Sequence, residues 1–357
     1  MQYNPQVDIE ITRLAADGSE QQITDNFTSI ADQDFNFHST NKPLDFKASI
    51  NKRLGSEQDT CTVTIQNPQF LEDLRQNPTS FVENIRDNFY RIRVWAWHDD
   101  NNQVSNTVRP NIPPVWVGDI LDGFSSGSTS TTDSQLTIES SSHSWLATSG
   151  KMRRTWAMGT TYDVIMNDIL DWFLNERGYG KETIGGTAKK VITGVENGLL
   201  ASKATKKAFT INRNPIEVAN DLCREFDLMF GFHCNIPYVL ARSNYFLVNE
   251  LNDISVGNEG VLIDRQTGKI GISDFSSYSI NCSSIFNQYH IIGSLATISD
   301  APQIDGGLAL GRIDSTQITL ANGSDGHVSG ISCSYVGSDG NIVLPRRRNN
   351  SSGSVLL

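Results

Sequence analysis

Apolar and polar residues alternate along much of the first 150 positions. Val7, Ile9 and Ile11 are interleaved with Asp8, Glu10 and Thr12, which predicts a half-buried strand. Phe46, Ala48 and Ile50 repeat the pattern, as do Cys61, Val63 and Ile65 against Thr62, Thr64 and Gln66. The run Phe89 to Trp97 and the segments Val115–Leu121 and Gln135–Ile138 read as further strands. Asn67-Pro68 and Asn77-Pro78 can each open a helix, with Asn as cap and Pro in the first turn, so a helical interruption is expected near 67–85. Eight of the ten residues 125–134 are Ser or Thr; with strands on both sides they read as a flexible hairpin tip.

The period then changes. Tyr162, Ile165, Met166, Ile169 and Phe173 fall at steps of three and four, the spacing of one helix face. Thr160 with Asp163 is the expected cap and Gly178 the stop. A loose Gly- and Lys-rich stretch follows over 179–207. Asn214-Pro215-Ile216-Glu217 opens a second helix with the stripe Ala219, Leu222, Cys223 and Phe226. Strands are predicted at Leu228–Cys234, Tyr238–Arg242 and Tyr245–Val248. From about 255 strands return at 261–263, 279–282, 289–292, 316–320, 328–336 and 341–344. Asn322-Gly323, Asp325-Gly326 and Asp339-Gly340 are the clearest turns, and Gln266-Thr267-Gly268 is a weaker one. The composition after Pro345 predicts a disordered tail.

Composition narrows the function classes. The 357 residues are 38% hydrophobic and 19% charged, enough apolar side chain for a core and too little charge for a disordered chain or coiled coil. The net charge of −11 is uneven: residues 1–150 carry 10 basic and 20 acidic side chains, 151–213 carry 11 and 6, and 214–357 carry 8 and 14. No segment supplies the clustered Lys and Arg of a strong duplex binder. No apolar run reaches the length of a transmembrane helix, so no membrane insertion is expected. The opening Met1–Pro5 lacks the basic and apolar regions of a signal peptide. The five cysteines are widely spaced without a CxxC and read as buried free thiols.

Several patterns resemble chemistry without its context. Gly123-Phe124-Ser125-Ser126-Gly127 spells a nucleophile elbow, but a serine-rich tip follows where a helix is needed. The glycines and lysines of 178–190 are out of register for a phosphate cradle. The six histidines never pair at ligand spacing, and His233 and Cys234, as strand neighbours, would point to opposite faces. Trp95 and Trp97 share one strand face with Arg91 and Arg93, which suits packing or, alternatively, stacking on a sugar or single-stranded nucleic acid. No catalytic, cofactor-binding or metal-ligating residue is named, no cofactor is expected, and the chain reads as a non-enzyme.

The order of elements carries more. The strand Thr62-Val63-Thr64-Ile65-Gln66-Asn67-Pro68 before a helix, the long strand 90–97 and Val117-Gly118-Asp119-Ile120 resemble the first tube-like barrel of phage tail baseplate hub proteins of the late-control-protein-D type. Gly159–Ile165 and Asn214–Glu217 resemble that family's inserted domain. Gly271-Ile272-Ser273-Asp274-Phe275, Ile285-Phe286-Asn287, Ile291-Ile292-Gly293 and the hairpin Gly326–Cys333 are similar to its second barrel. The resemblance implies an α+β, predominantly β fold: a first barrel at 1–150, an inserted α+β domain at 151–254, a second barrel at 255–345 and a disordered tail at 346–357. It further implies a homotrimer, a pseudo-sixfold ring joining a hexameric tail tube protein to a threefold central spike protein. Baseplate wedge and tape-measure proteins would be further partners, and DNA only passing cargo through an acidic lumen. The expected location is the virion tail baseplate, after assembly in the host cytoplasm. Alternative readings are a carbohydrate- or receptor-binding tail module, a tail-associated cell-wall hydrolase, or a secretion-system relative with the same fold.

Overall fold

In a computed structural model, the described residues are 5–14, 20–22, 45–55, 57–66, 89–98, 112–128, 134–143, 150–175, 179–180, 188–193, 195, 198–246, 250, 261–299, 309–321, 327–337 and 339–343. Predicted strands form as β1 (Pro5–Leu14), β3 (Asp45–Arg53), β4 (Thr60–Gln66), β5 (Phe89–His98), β6 (Trp116–Ser128) and β7 (Ser134–Ser141), and a short strand that no reading predicted, β2 (Glu20–Gln22), lies between β1 and β3 in the chain. β6 and β7 are antiparallel with Ser128 opposite Ser134, so the strands run into the serine-rich stretch, and only 129–133 of that tip lie outside the described residues. The expected helix at 67–85, most of the 99–114 loop, the Asn322-Gly323 and Asp325-Gly326 turns and the tail at 346–357 also lie outside them.

The central region carries β8 (Met152–Trp156), α1 (Tyr162–Asn175), β9 (Val191–Thr193), β10 (Phe209–Arg213), α2 (Pro215–Glu225), β11 (Leu228–His233) and β12 (Ile236–Ala241). α1 buries Ile165, Met166, Ile169, Leu170 and Phe173, the face its spacing predicts. Thr160 is not its cap, because the Thr160 hydroxyl donates to Ala157 O at 2.8 Å; the first helical bond runs from Ile165 N to Thr161 O. α2 begins as predicted, with Asn214 Oδ1 accepting from Ile216 N at 2.9 Å and Pro215 in the first turn. β8 and β10 pair antiparallel, and β11-β12-β9 form a second small sheet in which β9 is parallel to β12. The helices close over an aromatic core in which Phe173 meets Phe230 at 5.4 Å and Phe232 at 5.2 Å between ring centroids.

The last third contributes β13 (Val261–Ile263), β14 (Lys269–Phe275), β15 (Ser279–Ile285), β16 (Leu295–Ile298), β17 (Ala309–Ala321) and β18 (Val328–Tyr335). Three predicted strands are not seen among the described residues. Of Tyr245–Val248, Phe246 makes an isolated bridge to Ser294 and 247–248 lie outside the described residues; of 341–344, Ile342 makes one to Val336 and 344 lies outside them. Residues 289–292 instead form a turn, with His290 N on Asn287 O and Ser294 N on Ile291 O. That apolar run is buried in a connection, where periodicity cannot distinguish it from a short strand.

Eighteen strands and two helices among the described residues make the fold α+β and predominantly β. The two β segments are not separate in their pairing: one 13-stranded sheet runs β14-β15-β18-β17-β3-β4-β7-β6-β5-β1-β2, with β13 and β16 attached through β17. The described residues close no barrel; β17 instead pairs with β3 from Ser315↔Arg53 to Ala321↔Lys47. β17 can serve β16, β18 and β3 because a bulge between Ile313 and Ser315 changes its course. Asp314 holds that bulge, accepting from Arg312 Nε at 2.8 Å and from the Ser334 hydroxyl.

Candidate functional site

Two features stand out: the apolar end of the large sheet, and a polar junction where the central region meets β3, β5 and β6.

At the sheet end, β14 pairs only with β15 among the described strands. Its approach is fixed by a tight turn in which Asp264 Oδ1 accepts from Gln266 N at 2.8 Å and Thr267 N at 2.7 Å. Gly268 ends that turn at φ +101°. The turn read as weak from its single glycine is thus well braced, because Asp264 supplies the acceptor. Within β14 the register shifts between Ile270 and Asp274, so Gly271–Ser273 oppose a single residue of β15. Gly271 sits at φ +71°, a conformation natural to glycine. A bulge of this kind re-aims a side chain, and Ile272 stands 84% exposed. Ile270, Phe275 and Tyr278 are exposed beside it. Edge strands are commonly guarded by charge; this one presents isoleucine and phenylalanine beside Lys269 and Asp274. An open groove of about 420 Å³ runs alongside, lined mostly by polar residues such as Asn281, Ser283, Ser315 and Gln317, with Arg53 and Asp274 of opposite charge.

The junction is built around the β11–β12 hairpin. Its loop residues Cys234 and Asn235 lie at φ 45° and 64°, the positive angles of a two-residue type I′ turn. Cys234 is therefore a turn residue, and the strand alternation expected for His233 and Cys234 does not apply to it. Lys52, buried on β3, extends its Nζ to 3.5 Å from Cys234 Sγ. The thiol also lies 3.4 Å from Pro114 O and 3.5 Å from Val115 O. Arg91 Nε reaches Asp119 Oδ1 at 3.2 Å, the Tyr179 hydroxyl donates to Asp119 Oδ2 at 3.2 Å, and the guanidinium lies over the Tyr179 ring. Gly231 lets the chains approach: a β-carbon there would stand 2.3 Å from Gly55 O and 2.4 Å from the Tyr238 hydroxyl. That hydroxyl accepts from Gly55 N at 2.9 Å.

Burial shifts the titratable groups here. Asp59 is pushed up to about 7 by desolvation, against the hydrogen bond from Arg53 N and the charge of Lys52. Burial lowers His143 to about 3 and holds His233 well below its usual value, the latter helped by Lys52. These shifts follow from dry surroundings. Among the described residues no three His, Cys, Asp or Glu side chains stand close enough to hold a metal ion.

The remaining sequence candidates fall into place. Gly123–Gly127 lies within strand β6, not at a strand-to-helix elbow. Trp95 is buried, Arg91 is committed to Asp119, and Arg93 reaches Glu10 and Thr12, so this part of the face packs inward; the Trp97 side chain lies outside the described residues. No helix among the described residues is long and apolar enough to cross a membrane. Neither β14 nor the Lys52–Cys234 pair was predicted. Ile270 and Ile272 do alternate, but the bulge hides the strand from a strict period-two reading.

The sequence matches no protein-family model and no curated protein. Solved structures are similar. The Escherichia coli c3393 protein, a type VI secretion component described as structurally similar to T4 bacteriophage tail proteins, aligns over 86% of this chain and 78% of its own, at 11% identity and a TM-score of 0.51. The chain shares its fold with this secretion component. A chain of the lidded Francisella PdpA–VgrG complex aligns over 98% of this chain and 55% of its own, at 8% identity and a TM-score of 0.50. The 43 kDa tail protein of prophage MuSo2 from Shewanella oneidensis aligns over 93% and 98%, at 13% identity and a TM-score of 0.49.

Proposed function

We propose that this protein is a structural baseplate hub of a phage tail, a homotrimer joining a hexameric tail tube to a threefold central spike. The observation that carries the reading is a sheet whose two end strands are unlike. Among the described strands, β14 pairs only with β15 at one end, and β2 pairs only with β1 at the other. Unlike edges meeting between copies make a heterologous contact, which closes into a ring when the rotation fits. The apolar surface of β14 is then buried and its backbone groups are paired.

In this reading residues 1–150 and 255–345 are the tube-like units and 151–254 the inserted one, with 346–357 as a tail. The tube and spike proteins are the direct partners, wedge and tape-measure proteins the outer ones, and DNA passes without being bound. The protein assembles in the host cytoplasm and resides in the virion tail baseplate. Catalysis has no part in the role, and the inward packing of Trp95 removes one support for a sugar-binding module. Light scattering after size exclusion tests the proposal: one chain is 39.5 kDa, so a trimer has a mass of about 118 kDa. A stable dimer, or a single-chain mass at every concentration, would overturn it.

A further inference from the structure

The assembly reading leaves the Lys52–Cys234 contact without a role. The pair joins two parts of the fold that are 182 positions apart in the chain. Lys52 sits on β3, which is held on both sides by β4 and β17. Cys234 sits in a two-residue turn whose geometry is fixed by positive φ and whose sulfur rests against the Pro114 and Val115 carbonyl oxygens. Both residues are buried. An amine and a thiol confined in this way have a high effective concentration toward one another.

We propose that Lys52 and Cys234 are a modification site: dioxygen converts them to an Nζ–O–Sγ bridge, a covalent staple between β3 and the β11–β12 turn. The S–H bond and one N–H bond of the neutral amine break, and one oxygen atom joins nitrogen to sulfur. The second oxygen atom leaves as water with the two hydrogens. Sulfur and nitrogen each lose two electrons, matching the four taken up by dioxygen; if the amine starts as ammonium, its extra proton goes to solvent. An inserted oxygen suits a separation of 3.5 Å, since a direct S–N bond would demand a larger closure of two well-anchored groups.

The test is a non-reducing peptide map of the full chain kept in dithiothreitol and of the same preparation held in dioxygen-saturated buffer. The expected product is a linked pair of peptides, one containing Lys52 and one Cys234. Its mass exceeds the sum of the two by about 14 Da, for one oxygen gained and two hydrogens lost. The link should disappear on adding dithiothreitol and be absent from Cys234→Ser and Lys52→Arg. Recovery of Cys234 as a free thiol, or as sulfinic or sulfonic acid with Lys52 unlinked, would overturn the proposal. So would oxidation confined to a Cys282–Cys333 disulfide. The wild-type map decides these outcomes, so a folding defect in either variant does not obscure them.

Discussion

Arg91 and Asp119 meet at 3.2 Å with their side chains 0% and 2% exposed, on strands β5 and β6 of the large sheet. The Tyr179 hydroxyl, from the central region, donates to the same carboxylate. This pair therefore connects the sheet to the α+β region through charge. Removing one partner strands the other in a dry site, which typically costs about 3–5 kcal/mol. Arg91→Ala should lose that much in denaturant unfolding. The double variant Arg91→Met/Asp119→Leu should lose clearly less, because no charge is left buried. Equal losses would mean that packing, not the uncompensated charge, dominates.

Asp59 makes stability depend on pH in a defined sense. Its folded-state value of about 7 lies above the ordinary 3.8, so the folded state holds the proton more tightly. The contribution is fully present below about pH 4 and is lost as pH rises through about 7. Asp59→Asn can still accept the Arg53 N–H. The variant should gain on wild type between those values, by at most on the order of 4 kcal/mol at pH 8. Unfolding curves at pH 5 and pH 8 check this; an unchanged difference between the two would contradict it.

His143 works in the opposite direction. Its folded value of about 3 lies below the ordinary 6.5, so its contribution is present above pH 6.5 and lost as pH falls toward 3. NMR titration of the imidazole in the folded protein should show no protonation at pH 5.

Ile272 separates assembly from folding. At 84% exposure, Ile272→Lys should change the stability of a single chain by no more than about 0.5 kcal/mol. It should nevertheless reduce the trimer fraction seen by light scattering, because a lysine would occupy the buried edge contact. A trimer undiminished by the substitution would move the interface away from β14.

Gly231 tests the close approach at the junction. A methyl group there meets the Gly55 carbonyl at 2.3 Å, which is backbone and cannot rotate away. Gly231→Ala should cost about 1–3 kcal/mol. By contrast, Asn214→Ala removes one helix cap and should cost about 1 kcal/mol. Thermal unfolding of the two variants side by side gives the ranking.

The sequence by itself determined the local elements whose signal lies within one face or one turn. The alternation of β1, β3 and β4, the apolar stripe of α1 and the Asn214-Pro215 start of α2 were all legible, because side-chain direction repeats every two residues in a strand and every 3.6 in a helix. The element order also carried the resemblance to tail hubs, and the α+β, predominantly β class follows from the same patterns. Tertiary structure alone decided what those elements meet. The β17–β3 ladder that joins both β segments, the bulge that exposes Ile272, and the contacts Arg91–Asp119 and Lys52–Cys234 link residues from 28 to more than 260 positions apart. No local period encodes such pairings. A strand's pattern says which side chains must be buried, but its partner is chosen by hydrogen-bond geometry, twist and the shape of the whole core.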